Sequence, residues 1–285
     1  EKALYMAATG RPGPVWLDLP LDVQGAIIET ESLRAYDPAE NPQQRPQEIL
    51  QETIEKILDK IEESHRPVLS PGNGVRLAGA IEEFHELVDV LGVPVVTGMS
   101  SVDALESDHP YFVGRSGGTG TRPGNFALQN SDVLLSIGNR QGFAQTGFQY
   151  QDWARESYTI LNDIDENELK KPNLHVSLPV VGDAGELIRG LLAEAKKRGA
   201  DKEYPLFKGE DWRKQCLLWK KKYPIVTEKH YETLEEGCTN IYAFYGELSK
   251  AMKENETLMV SVGTSRVAGS QAFQVKKGQR FITNP

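Results

Sequence analysis

The sequence predicts an α/β fold centred on a doubly wound parallel sheet, and three observations predict it. Short, nearly unbroken apolar runs recur, of which 132–137 and 158–162 are the clearest; strands read this way when both of their faces are buried. Between the runs lie stretches with apolar residues three and four positions apart, the period of a helix with one buried face. Glycine clusters stand where one pattern gives way to the other, as the turns of alternating strand–helix units require.

The elements follow in order. Glu1 to Ala8 reads as a helix stopped by the turn residues Thr9 to Gly13, and 13–19 as a short buried strand closed by Pro20. Residues 29–48 are polar, carry Pro38, Pro42 and Pro46, and read as a linker. Ile49, Leu50, Ile54, Ile57, Leu58 and Ile61 mark a helix over 47–63. A strand at 66–70, the turn Gly72-Asn73-Gly74, a helix over 77–91 capped by Gly92, and a strand at 93–97 come next. A glycine-rich stretch covers 114–124, followed by helix at 125–129 and strands at 132–137, 158–162 and 175–181, with a closing helix at 184–198. Residues 199–238 are charged and irregular apart from a helix at 210–222, and a helix at 241–253 with a strand at 258–262 opens a further α/β unit. The expected organisation is therefore the end of one domain (1–28), a linker (29–48), a whole central domain (49–198), a second linker (199–238) and the start of another domain (239–285). The chain has no initiator Met, opens in helix and closes on an apparent strand at 280–285, which reads as an internal segment of a longer protein.

Composition excludes several function classes. With 32 Lys+Arg against 41 Asp+Glu the net charge is −9, and no basic block marks a nucleic-acid or anionic-lipid surface. No run approaches the roughly 20 apolar residues of a membrane span. Two cysteines, Cys216 and Cys238, make neither a disulfide framework nor a zinc spacing, so a reducing, cytoplasmic setting is the expectation. The chain lacks GxSxG, HExxH, Walker and CxxC motifs, and its five histidines are scattered. Cys216, beside Leu217 and Trp219, reads as packed rather than reactive.

Candidate chemistry gathers at the strand ends. Gly72-Asn73-Gly74 follows a strand and precedes a helix, where backbone can approach a phosphate, although the third glycine of a dinucleotide fingerprint is displaced to Gly79 and a plain tight turn is the competing reading. The segment Arg115 to Asn125, including Gly117, Gly118 and Thr119, can wrap a phosphate or stand as a surface loop. Asn139 and Arg140 follow the strand at 132–137, Asp163 and Ile164 follow that at 158–162, and Asp183 follows that at 175–181. Each alone is a helix cap as readily as a ligand contact; several strand ends offering Gly, Arg or Asp point to a nucleotide site.

The run from Ala7 through Gly10-Arg11-Pro12-Gly13-Pro14-Val15 to Asp22-Val23-Gln24 resembles the thiamine-diphosphate-dependent acetolactate synthase / pyruvate oxidase family, at the end of its pyrimidine-binding domain. The similarity continues through Gly72 to Arg76, Leu91 to Val96, Asp108 to Gly114, Asn130 to Arg140 and Asn162 to Leu169, and at Val260 to Gln271 it looks like the opening of the diphosphate-binding domain. The resemblance implies a central doubly wound domain flanked by partial thiamine-diphosphate-binding domains, thiamine diphosphate and Mg²⁺ as cofactors of the parent chain, a 2-oxo acid substrate, and a homodimer or homotetramer. It implies FAD or ADP contacts at Arg11, Gly72, Asn73, Gly74, Thr97–Met99, Gly117, Gly118, Thr119, Asn139, Arg140, Asp163, Ile164 and Asp183, with Gly263, Thr264 and Ser265 near the thiamine diphosphate phosphates. It assigns no acid, base, nucleophile or metal ligand to this segment, which is expected to be inactive alone. Where acetolactate synthases carry Phe-Asp-Asp-Arg after the strand-end arginine, this chain has Gln141-Gly142-Phe143-Ala144-Gln145. FAD, ADP and an empty central domain, acting as a structural module or scaffold, stand as alternatives.

Overall fold

Six parallel strands form the main sheet: β1 (Pro67–Pro71), β2 (Val95–Thr97), β3 (Phe112–Arg115), β4 (Val133–Ile137), β5 (Tyr158–Asp163) and β6 (Leu178–Val181), in the order β3-β2-β1-β4-β5-β6. The computed structural model describes residues 1–42, 47–232 and 237–283, and the chain divides into two compact units, Glu1–Gln47 and Glu48–Pro285. The strand order reverses at the β1/β4 pair, which runs in register from Pro67 opposite Val133 to Pro71 opposite Ile137. Every residue of β1 and β4 is buried, so both faces of the sheet are covered, as the apolar runs anticipate.

The first unit carries α1 (Lys2–Ala8) and α2 (Leu21–Gln24) with two single-turn helices at Thr30–Ser32 and Pro38–Glu40. The strand expected at 13–19 is not formed. This stretch is exposed throughout, Trp16 at 86%. The unit has no other strand among its described residues, and an apolar run cannot become a buried strand without a neighbour to take its N–H and C=O groups. Tyr36 N–H instead ties back to Glu1 Oε2 at 2.7 Å, with the Tyr5 and Tyr36 rings 5.5 Å apart. Of the linker expected at 29–48, residues 43–46, including Pro46, lie outside the described residues.

In the second unit α3 (Gln51–Glu63) buries Ile54, Ile57, Leu58 and Ile61. The helix expected over 77–91 is α5 (Ile81–Leu91), and a separate short helix, α4 (Asn73–Leu77), precedes it. Gly79 at φ +66° makes the corner between them, so it is a chain-reversal residue and not part of a phosphate fingerprint. Gly92, also at φ +66°, ends α5 as expected. β3 was hidden in the glycine-rich stretch, and α6 (Arg122–Gln129) starts three residues earlier than expected because Thr121 Oγ1 accepts the Gly124 N–H and Pro123 stands in the first turn. After β4 come a single-turn α7 (Phe143–Thr146), then α8 (Glu166–Leu169) beyond β5 and α9 (Ala184–Lys197) beyond β6.

Residues 199–238 are more than a linker. α10 (Glu210–Lys222) packs on β3 and α6, and Leu206, Phe207, Trp212 and Cys216 belong to the central core. Trp212 Nε1 donates to Pro67 O at 3.0 Å, tying this segment to the start of β1. Burial pushes the Cys216 thiol up to about 12, consistent with a packed rather than reactive sulfur. Residues 233–236 lie outside the described residues. The chain then forms α11 (Ile241–Ala251), β7 (Thr257–Val260), α12 (Thr264–Ala272) and β8 (Arg280–Thr283), with β7 and β8 paired in parallel around a small core of Tyr245, Ala268, Phe273 and Phe281. Among the described residues no helix is long and apolar enough to cross a membrane.

Candidate functional site

The carboxyl ends of the six strands bring most of the expected residues to one edge of the sheet, because parallel strands all end on the same side. Each then behaves according to its local chemistry. Gly72 lies in extended backbone, and its N–H donates to Ile137 O at 2.8 Å; the Gly74 N–H donates to Gly138 O at 3.0 Å. A Cβ on Gly72 would lie 2.2 Å from both Asn139 Cα and Gly138 O, and one on Gly74 2.7 Å from Gly138 Cα. These glycines let the β1 and β4 loops touch backbone to backbone across the point where the strand order reverses. Asn139 Nδ2 donates to Ser70 Oγ at 3.1 Å and Gln141 Nε2 to Ser136 Oγ at 2.7 Å, so serines near the ends of β1 and β4 hold the loop down.

That loop is strained. Gly138 (φ +58°), Arg140 (φ +39°) and Gln141 (φ +51°) all lie in the left-handed region, which costs a non-glycine residue about 1–3 kcal/mol. Arg140 Nε donates to Glu168 Oε1 at 2.8 Å; Lys171 pairs with the same carboxylate and donates to Arg140 O at 2.7 Å. Glu168 therefore anchors two cations at the β4 edge. Asp163 Oδ1 accepts the Asp165 N–H at 3.0 Å, next to Ile164, and Asp183 Oδ1 caps α9 by accepting from the N–H groups of Gly185 (3.0 Å) and Glu186 (3.1 Å). Asp183 thus takes the capping role that the sequence left as one of two readings.

The loop between β3 and α6 is closed on itself. The Gly117 N–H donates to Asn125 Oδ1 at 2.9 Å, Gly118 to Ala144 O at 2.9 Å, Gly120 to Gly117 O at 2.9 Å and Thr121 to Arg115 O at 2.7 Å. Gln271 Nε2 donates to Thr119 O at 2.9 Å from α12. Thr97 ends β2 fully buried, and Met99 opens the single turn Met99–Ser101. Arg11 belongs to the first unit.

A cavity of about 770 Å³ opens beside the edge, lined by Asn73, Met99, Asn139 and Arg140 together with Lys171, Arg266, Arg280 and Asp103. Its four cationic side chains are balanced by Asp103 and, paired with Arg140 and Lys171, by Glu168, so the surroundings keep a net positive charge suited to an anion. Phe143 at its mouth stacks on Phe148, centroids 5.7 Å apart. Sequence reasoning missed Asp103, Arg266 and Arg280, which only tertiary folding brings here. Gly263, Thr264 and Ser265 form the start of α12; the N–H groups of a helix's first turn have no acceptor within the helix, so the donor set there fits a phosphate. Among the described residues no three His, Cys, Asp or Glu side chains cluster as a metal site would need.

The thiamine pyrophosphate enzyme central-domain family matches residues 54–191. The matched stretch contains all six strands of the main sheet. A probable acetolactate synthase large subunit of Methanocaldococcus jannaschii is 39% identical over 199 residues, 67% of this chain and 32% of that protein. Acetolactate synthase isozyme 3 large subunit of Escherichia coli is 25% identical over 291 residues, 100% of this chain and 48% of that protein. Glyoxylate carboligase of Escherichia coli O157:H7 is 27% identical over 288 residues, 99% of this chain and 46% of that protein. The chain thus spans about a third to a half of the length of these relatives.

A second, larger cavity of about 940 Å³ lies beside β3, with Arg115, the last residue of that strand, and Lys220 in its wall. Arg115 is buried and donates to Gln271 O (3.2 Å) and Phe273 O (3.0 Å), while Lys220 donates to Ser107 O (2.8 Å) and Phe112 O (2.9 Å). Burial pushes Lys220 down to about 8 from 10.5. Between those values the unfolded chain binds more protons than the folded one, so this group makes stability rise with pH. After allowance for partial exposure, the stability of wild type relative to Lys220→Met should grow by about 1–2 kcal/mol from pH ~8 to ~10.5. Cys216 titrates in both proteins and cancels. Urea midpoints across that range check this; a constant difference contradicts it.

Proposed function

We propose that the protein containing this chain is a thiamine-diphosphate-dependent enzyme that decarboxylates a 2-oxo acid and joins the product to an acceptor carbonyl. The observation that carries this reading is the extent of the similarity: relatives named acetolactate synthase and glyoxylate carboligase align over 99–100% of the chain, on both sides of the central domain. Segment 1–28 is then the end of the pyrimidine-binding domain and 239–285 the start of the diphosphate-binding domain, with 29–48 leading into the central domain and 199–238, whose α10 packs on it, leading out.

When bound, thiamine diphosphate supplies the carbanion chemistry at its thiazolium carbon, and the protein supplies orientation and electrostatics. Gly263, Thr264 and Ser265 would hold its phosphates through the first turn of α12, which follows β7 directly. The central domain supports that turn: Gln271 at the far end of α12 binds the β3–α6 loop, and Arg115 holds the carbonyls of Gln271 and Phe273. No acid, base or nucleophile of the reaction is assigned to this chain, nor any ligand for Mg²⁺, and a cytoplasmic homodimer or homotetramer is proposed for the parent. Full-length protein with thiamine diphosphate and Mg²⁺ should release CO₂ from pyruvate or glyoxylate in a cofactor-dependent manner. Absence of CO₂ from every 2-oxo acid tried would end this reading.

FAD fits less well. A dinucleotide on glycine loops needs outward-facing N–H groups, and those of Gly72, Gly74, Gly117 and Gly118 already donate within the protein. No step is assigned to a flavin.

A further inference from the structure

The groove between the carboxyl ends of β2 and β3 is occupied by the chain itself. α7 turns back over it, and Gln145 reaches between Gly98 and Ser116. Its Nε2 donates to Ser116 Oγ, while its Oε1 lies 2.6 Å from where a Cβ on Gly98 would stand. The Ala144 carbonyl accepts the Gly118 N–H at 2.9 Å and lies 2.7 Å from a Cβ position on Gly117. α7 is itself held: the N–H groups of Gln145 and Thr146 donate to Gly142 O, and Gly147 N–H to Phe143 O. The segment that closes the groove is the one in which this chain has Gln141-Gly142-Phe143-Ala144-Gln145.

We propose that residues 142–147 are a built-in plug, with Gln145 as its key, that keeps the central domain free of bound flavin or adenine nucleotide. The amide of Gln145 and the carbonyl of Ala144 supply the polar partners that a ligand's adenosine and phosphate would otherwise offer to Ser116 and Gly118. A nucleotide entering the groove must break both interactions and displace α7, whose footing is the strained turn at Arg140 and Gln141. The plug leaves open the electropositive 770 Å³ cavity beside it, so a phosphate group can still meet Arg140, Lys171, Arg266 and Arg280 there. What the plug removes is recognition of the nucleoside.

That distinction sets the experiment, which reads binding and is independent of the thiamine reaction. Full-length wild-type protein is titrated by calorimetry with inorganic diphosphate, ADP and FAD, and its visible spectrum is recorded as purified. The expected result is a spectrum without flavin, and ADP and FAD binding within a few-fold of diphosphate, so that the nucleoside adds nothing. In Gln145→Gly the key is gone, and ADP should bind at least about tenfold more tightly than diphosphate, a gain of about 1.4 kcal/mol. Wild type that purifies with stoichiometric flavin, or binds ADP or FAD tenfold more tightly than diphosphate, overturns the proposal. A folded Gln145→Gly, judged by circular dichroism, that gains no preference for ADP overturns it too. Should that variant fail to fold, the wild-type titrations decide alone.

Discussion

Gly72→Ala should cost at least about 3 kcal/mol and lower the melting temperature by roughly 6–12 °C, although the residue's backbone is one that alanine adopts without difficulty. Gly72 sits at φ −108° and ψ −176°, extended, so no conformational penalty contributes. The cost is steric. The new methyl would stand 2.2 Å from Asn139 Cα and Gly138 O and 2.6 Å from Asn139 N, all backbone atoms that cannot rotate aside. The opposing segment cannot retreat without breaking the Gly72–Ile137 and Gly74–Gly138 hydrogen bonds and the Asn139–Ser70 contact. Gly118→Ala is the matched control, since a Cβ there would meet nothing nearer than Ala144 O at 3.8 Å; it should change stability by no more than about 0.5 kcal/mol. Thermal and urea unfolding of the two variants decide the matter. A Gly72→Ala protein within 1 kcal/mol of wild type would mean that the β1 and β4 loops do not meet as described.

This glycine also shows how far the sequence could be read. Gly72-Asn73-Gly74 after a strand announces a close backbone approach, but sequence alone does not say to what. A phosphate and a neighbouring loop ask the same of a glycine, and here the partner is Gly138–Asn139. Buried strands and amphipathic helices were legible because their apolar periods are local: α10 falls at 210–222 as expected, and β4 and β5 within a residue of their expected bounds. The strand at 13–19 failed for the complementary reason, since an apolar run shows the wish for burial without supplying a pairing partner. The start of α6 is hard to see in the sequence because glycine richness masks the Thr121 cap. Gly124, inside that helix, is required by packing: its Cβ would lie 2.4 Å from Arg115 O. Arg140 and Asn139 were legible as strand-end residues. Asp103, Arg266 and Arg280 were not, because nothing near them in sequence says that β8 will lie beside the turn after β2.

Asp103 is the group that makes this last association, and its replacement by alanine should cost about 2–4 kcal/mol. Its Oδ2 accepts from Arg280 Nε at 2.8 Å and from the Phe281 N–H at 3.1 Å, and lies 3.3 Å from Arg76 Nη2. The carboxylate is 6% exposed, so little water can replace these interactions. Removing it leaves two guanidinium groups beside one another without a counter-charge and deprives a strand N–H of its acceptor. Asp103→Asn keeps an acceptor for Phe281 while discarding the charge, and should lose about half as much. The damage should also be local. Leu69, Leu134 and Leu135 belong to the central core, whereas β8 is held to the turn after β2 through Asp103. Hydrogen exchange in Asp103→Ala should therefore accelerate in β7, β8 and α12 while β1 and β4 keep their protection. Equal acceleration in both regions would show that the β7–β8 segment and the central sheet unfold as one, and that Asp103 does not join two separable parts.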